Sequence, residues 1–130
     1  MQYRAALTIP AGTPEASPET LDLPVTFGIL RRYVLHFPPG QSGLAHVQVW
    51  YCGRQVLPTS IGESFIGDDT LIDLPEAFPI ENPPFELLLV GWAPLAALEH
   101  TVYFILYIER DVLLIPAQME LQVALPEGIV

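Results

Sequence analysis

The chain has 130 residues, 51% of them hydrophobic and 15% charged, with a formal net charge of −10 from fifteen acids, five arginines and no lysine. That length supports one domain with its own core, needing neither disulfides nor metals, and the lone Cys52 cannot pair internally, which suits a reducing compartment. So negative a field repels a phosphate backbone and an anionic membrane surface, so neither nucleic acid nor membrane is expected as a partner.

No basic stretch leading into an apolar run marks a signal peptide, and no unbroken apolar run of about 18 residues marks a membrane span. With 14 prolines spread along it, the chain is punctuated too often for long helices. An all-β fold is expected: one antiparallel sandwich or jelly-roll-like domain over 1–130. One asparagine (Asn82), one cysteine and two methionines are few labile residues, and proline-stiffened loops are a thermophile tendency, although the missing lysines run against it.

Tyr3 to Ile9 reads as the first strand, and residues 10–19 (PAGTPEASPE) as a Pro-rich leash. Strand and leash together permit the N-terminus to pair with a neighbouring subunit, although packing at home is the commoner outcome. Leu21 to Phe27 is a short strand whose Pro24 suits an edge. Ile29 to Phe37 follows, with its odd positions expected to face inward. Leu44 to Cys52 alternates, with Val47, Val49 and Tyr51 on one face and His46, Gln48 and Trp50 on the other. A turn leads to a brief strand ending at Leu57, and an acidic, Gly-containing loop runs to Asp69. Thr70 to Leu74 is expected as a strand stopped by Pro75, with 75–84 as an extended loop.

Phe85 to Glu109 is the most apolar stretch and reads as two strands, taken as a hairpin forming the spine of a sheet. In its second strand Val102, Phe104, Leu106 and Ile108 share one face, while Tyr103, Ile105 and Tyr107 share the other. An antiparallel sheet in a sandwich has one wet face, and this strand has none, so something must cover the second. Asp111 to Leu125 reads as a strand broken at Pro116 or as a short helix from Pro116 to Val123, with alternation favouring the strand, and 111–130 as a candidate interaction arm.

No motif supports catalysis. The histidines His36, His46 and His100 lack metal-ligand spacing, and Glu63, Asp68, Asp69 and Asp73 lack the calcium-loop pattern. No serine sits in a nucleophile elbow, and no pair of acids is singled out for glycoside hydrolysis. No cofactor or metal is expected. The aromatics offer more. Trp50 and Trp92, with Tyr103, Ile105 and Tyr107, are the candidate interface residues. Trp50, Tyr51 and Trp92 support an alternative, a carbohydrate-binding module that stacks sugars on aromatic rings.

The runs FPPGQSGLAHVQVWYCGRQVLP (37–58), GDD (67–69), NPPFELLLVGWAP (82–94) and HTVYFILYIE (100–109) resemble small structural proteins encoded by tailed phages. The shared features are a Pro-Gly turn before a sandwich strand and a Gly-Trp strand end before a His-Thr strand, across roughly residues 28–109. The resemblance implies a virion role, such as a capsid decoration or auxiliary subunit, assembled in the host cytoplasm. It carries over no catalytic residue. The expectation is a non-enzymatic protein that forms homo-oligomers and cements a larger assembly such as a capsid.

Overall fold

A computed structural model describes residues 1–110 of the chain; the expected C-terminal element over 111–130 lies outside the described residues. The strands are β1 (Gln2–Ile9), β2 (Glu19–Pro24), β3 (Gly28–Phe37), β4 (His46–Tyr51), β5 (Arg54–Leu57), β6 (Thr70–Ile80), β7 (Glu86–Trp92) and β8 (His100–Glu109). They form two four-stranded antiparallel sheets, ordered β1-β8-β3-β6 and β2-β7-β4-β5, packed as a sandwich. The all-β expectation holds.

The expected spine hairpin does not form. β7 and β8 lie in different sheets, joined by residues 93–99, which cross from one layer to the other. The crossing is pinned where Ala93 N–H donates to the Thr13 carbonyl (3.0 Å) and where Ala96 N–H turns back onto the Ala93 carbonyl (3.2 Å). Each strand is central in its own layer, β7 between β2 and β4, β8 between β1 and β3. A strand flanked on both sides is shielded from solvent at both edges.

The core lies between the layers. Val102, Phe104, Leu106 and Ile108 of β8 face Val47 and Val49 of β4 and Leu87 and Leu89 of β7, all essentially without solvent exposure. Gly91 lets β1 close over this core, because a Cβ there would stand 2.6 Å from Ile9 Cδ1 and 2.9 Å from Leu7 Cδ2. That is nearer than packed carbon atoms approach.

β3 departs from simple alternation. A bulge between Leu30 and Arg32 shifts its register against both β6 and β8. Tyr33, Leu35 and Phe37 point into the core as expected, but before the bulge Leu30 does so in place of Ile29. The extra residue, Arg31, is exposed and bonds Glu109 (Nε to Oε1, 2.7 Å) at the end of β8. A bulge inserts one residue against its partner strand, so the inward parity changes across it.

Residues 75–84, expected as a loop, are strand as far as Ile80. β6 continues through Pro75 and Pro79 to Ile80. Among the described residues it pairs only with β3 and so forms an edge, where a residue whose N–H would face solvent loses no ladder bond by being proline. Phe104 sits at the centre of the core with 1% exposure. Phe104→Ala is expected to cost about 3–5 kcal/mol of stability in denaturant unfolding. A loss below about 1 kcal/mol would mean that the ring is not packed as described.

Candidate functional site: two outer faces

The sandwich turns one face of each sheet outward, and the five candidate interface residues divide between them. Trp50 and Trp92 lie on the outer face of β2-β7-β4-β5, while Tyr103, Ile105 and Tyr107 lie on the outer face of β1-β8-β3-β6. The two sets are on opposite sides of the molecule and cannot act as one surface.

On the tryptophan side, alternation along β4 turns His46, Gln48 and Trp50 outward, while Val90 and Trp92 project from β7 beside them. Trp92 is nearly covered because the His46 ring lies parallel to it, with centroids 5.5 Å apart and planes 1° apart. His46 Nδ1 in turn pairs with the Ser64 hydroxyl at 2.9 Å. A groove of about 610 Å³ runs past Trp50, Trp92, Gln48, Gln55 and Arg54.

The polar groups of that groove floor are occupied. Trp50 Nε1–H donates to Gln48 Oε1 (2.8 Å), and Gln48 Nε2 donates to Gln55 Oε1 (3.1 Å) and to the Glu63 carbonyl (2.7 Å). Gln55 Nε2 donates to the carbonyls of Pro58 (2.7 Å) and Ser60 (3.0 Å), and its Oε1 accepts from Gly62 N–H (3.0 Å). These two side-chain amides therefore act as clasps for the loop after β5. Tyr51, grouped with the tryptophans as a ligand platform from sequence, points the other way. It is buried in the core, where its hydroxyl donates to the Asn82 carbonyl (2.5 Å) and accepts from Asn82 N–H (2.9 Å). Burial raises its pKa above the usual tyrosine value.

The opposite face differs in kind. Ile105 of β8 lies between Arg4 of β1 and Val34 of β3, and Tyr103 lies between Ala6 and His36. Leu71 of β6 stands beside His36. Together they line a groove of about 620 Å³. Val34 is sunk to 8% exposure at its floor, while Leu71 at 64% and Tyr103 at 46% stand up from it. His36 stacks on Tyr103, with centroids 6.0 Å apart. Leu71, Val34 and Ala6 were not singled out from the sequence, because only strand pairing brings them beside Tyr103.

A polar rim borders this apolar centre. Arg32 grips Asp73 with a fork, Nε to Oδ1 at 2.7 Å and a terminal guanidinium nitrogen to Oδ2 at 2.6 Å, and its guanidinium carbon lies 4.8 Å from the centre of the Tyr107 ring. At the other end the hydroxyls of Thr8 and Thr101 are 3.0 Å apart. The hydrogen bond from Arg32, helped by its charge, holds the Asp73 carboxyl below its ordinary value.

The three histidines stay apart, and among the described residues no group of three or more His, Cys, Asp or Glu side chains converges as a metal site would require. Asp68, a calcium-ligand candidate by residue type, instead accepts from the N–H groups of Gly40 (2.8 Å) and Gln41 (3.0 Å), fixing the turn before β4. Compared with known proteins, the chain matches no family model, no curated protein and no solved structure.

Because its folded pKa is lowered, Asp73 stabilises the fold above the ordinary aspartate value of about 4, and that stabilisation is lost as pH falls through the folded value. Asp73→Asn is therefore expected to lower stability slightly at neutral pH and to flatten its decline below about pH 4, with the pair's exposure keeping the effect small. Urea unfolding of both proteins across that range measures it. Parallel curves would show that the Arg32 contact contributes nothing.

Proposed function

We propose that this protein is a non-enzymatic structural subunit that works by assembly, associating with itself and with a larger protein body through the outer face of β1-β8-β3-β6. The observation that carries the reading is the apolar centre of that face, where Leu71 and Tyr103 stand exposed around sunken Val34. Sheet faces in a sandwich are normally polar on the solvent side, and concave apolar patches with a polar rim mark interaction sites. The Arg32–Asp73 pair and the Thr8–Thr101 contact supply such a rim. The resemblance to tailed-phage structural proteins supports a virion role, as a capsid decoration or auxiliary subunit assembled in the host cytoplasm.

A carbohydrate-binding module is the less supported reading. The half-buried Trp50 ring beside Arg54 favours it. Sugar recognition also needs free donors and acceptors near the stacking ring, and the side-chain amides of Gln48 and Gln55 already hold backbone groups of their own chain.

Light scattering at two protein concentrations and two salt levels tests the assembly reading. The wild type is expected to run above its 14.4 kDa chain mass, insensitive to salt. The double variant Leu71→Glu with Tyr103→Glu is expected to fall to a smaller species than the wild type, with an unchanged circular dichroism spectrum. A wild type at single-chain mass under all four conditions, with a glycan array showing specific ligands lost in Trp50→Ala, would replace assembly by sugar binding.

A further inference from the structure

We infer that β1 is a docking edge and that its partner is β1 of a second copy, paired antiparallel about a two-fold axis so that two four-stranded sheets become one continuous sheet. The inference rests on the assembly reading above and specifies the contact between copies.

The direction of each backbone group along β1 follows from one pair of bonds. The Met1 amino group donates to the Ile108 carbonyl (2.6 Å), and Ile108 N–H donates back to the Met1 carbonyl (2.7 Å). Hydrogen-bonded and non-hydrogen-bonded pairs alternate in an antiparallel ladder. In the observed register Tyr3, Ala5, Leu7 and Ile9 therefore bond β8, while Gln2, Arg4, Ala6 and Thr8 aim their N–H and C=O groups away from it. All four of those residues are exposed, and their outward groups have no backbone partner among the described residues.

The other three edges are blocked. Carrying the same alternation across β8 and β3 places Pro75 and Pro79 of β6 at outward positions, where each removes a donor. On β2, the bond from Val25 N–H to the Phe85 carbonyl sets the phase, so Pro24 is also outward, with Pro18 just ahead of the strand. β5 is only four residues long. β1 runs for eight residues without proline. Short strands and edge prolines guard a sheet against unwanted pairing, and this one lacks both devices.

Charge and register identify a second copy as the occupant. Two chains of net charge −10 repel each other, yet β1 contains no carboxylate and carries Arg4. Outward groups meet when Gln2 pairs with Thr8, and Arg4 with Ala6, of the other copy. This arrangement uses the full set of outward residues, places Ala5 on the axis and keeps the two arginines from facing each other. Sliding by one hydrogen-bonded pair in one direction would set Arg4 against Arg4, and like charges directly opposite destabilise. Sliding in the other direction shortens the ladder. Pairing would also bring the two apolar grooves side by side, since Arg4 and Ala6 line each of them.

Two variants test the contact. Ala6→Pro removes one outward N–H and leaves every bond to β8 in place, as the prolines of β6 already do on their own edge. Ala5→Cys, made with Cys52→Ser, places two cysteines at a non-hydrogen-bonded pair with Cα atoms about 4.5 Å apart, within disulfide reach. Light scattering is expected to show an oligomeric wild type and, in Ala6→Pro, a contact between copies weakened at least about tenfold. Mild oxidation of the cysteine variant is expected to give a covalent dimer on a non-reducing gel, which stands even if Ala6→Pro fails to fold. A wild-type oligomer unchanged by Ala6→Pro, with no cross-link, overturns edge pairing and leaves assembly through the sheet face standing. A monomer whose Arg4, Ala6 and Thr8 amides resist hydrogen exchange would mean that the edge is filled from within its own chain, which also overturns the pairing. A monomer with those amides exchanging freely overturns both.

Discussion

The short crossing between β7 and β8 ties the central strand of one layer to the central strand of the other, and most of the architecture depends on that tie. Both strands must supply core side chains on their inner faces and still be flanked on each side, so both are dominated by large apolar residues. The layers approach closely at one end because Gly91 has no side chain to hold Leu7 and Ile9 away. The Thr13–Ala93 bond then fastens the loop after β1 to the start of the crossing. Chain connectivity and packing are here one constraint: a side chain at 91 would force those of Leu7 and Ile9 to shift.

The two outer faces answer the same problem, a half-hydrated sheet, in opposite ways. On β2-β7-β4-β5 the loop after β5 folds back and the amides of Gln48 and Gln55 bind its backbone, so apolar surface is covered by the chain itself. Leaving those buried polar atoms unpaired would be costly, which makes the clasp a fixed part of the fold. On β1-β8-β3-β6 no described segment performs that service. The ion pair of Arg32 and Asp73 and the threonine contact hold the margins, while Leu71 and Tyr103 remain open to solvent. That contrast, more than the overall apolar content, separates an open face from a covered one.

Much of this fold was legible in the residues. The alternation of Val47, Val49 and Tyr51 fixes the inner face of β4, and the two faces of β8 divide as its spacing indicates. Three features were not. The layer change between β7 and β8 is a long-range event, and a short loop between apolar strands serves a hairpin and a crossing equally well. The bulge at Arg31 depends on how β3 meets two neighbours, which no local pattern shows. Pro75 reads as a stop because a proline ends a central strand, whereas β6 is an edge that accommodates it. The site was legible by half. Tyr103, Ile105 and Tyr107 follow from β8 alone, but Leu71 and Val34 need sheet order, and Tyr51 is separated from the tryptophans by the alternation of β4, its hydroxyl bonded to Asn82 on the inner side.

The uneven guarding of the four edges has a consequence for growth. A sheet open at both margins can add copies without limit and tends towards fibrils. Here prolines close β2 and β6, and β5 offers too short a template. A two-fold contact through β1 would occupy the open margin of both partners at once, leaving nothing for a third molecule to extend. With that contact made, polymerisation along the strand-pairing direction of the described sheets would terminate after one step, and any higher assembly would be built at right angles to it, through the sheet faces.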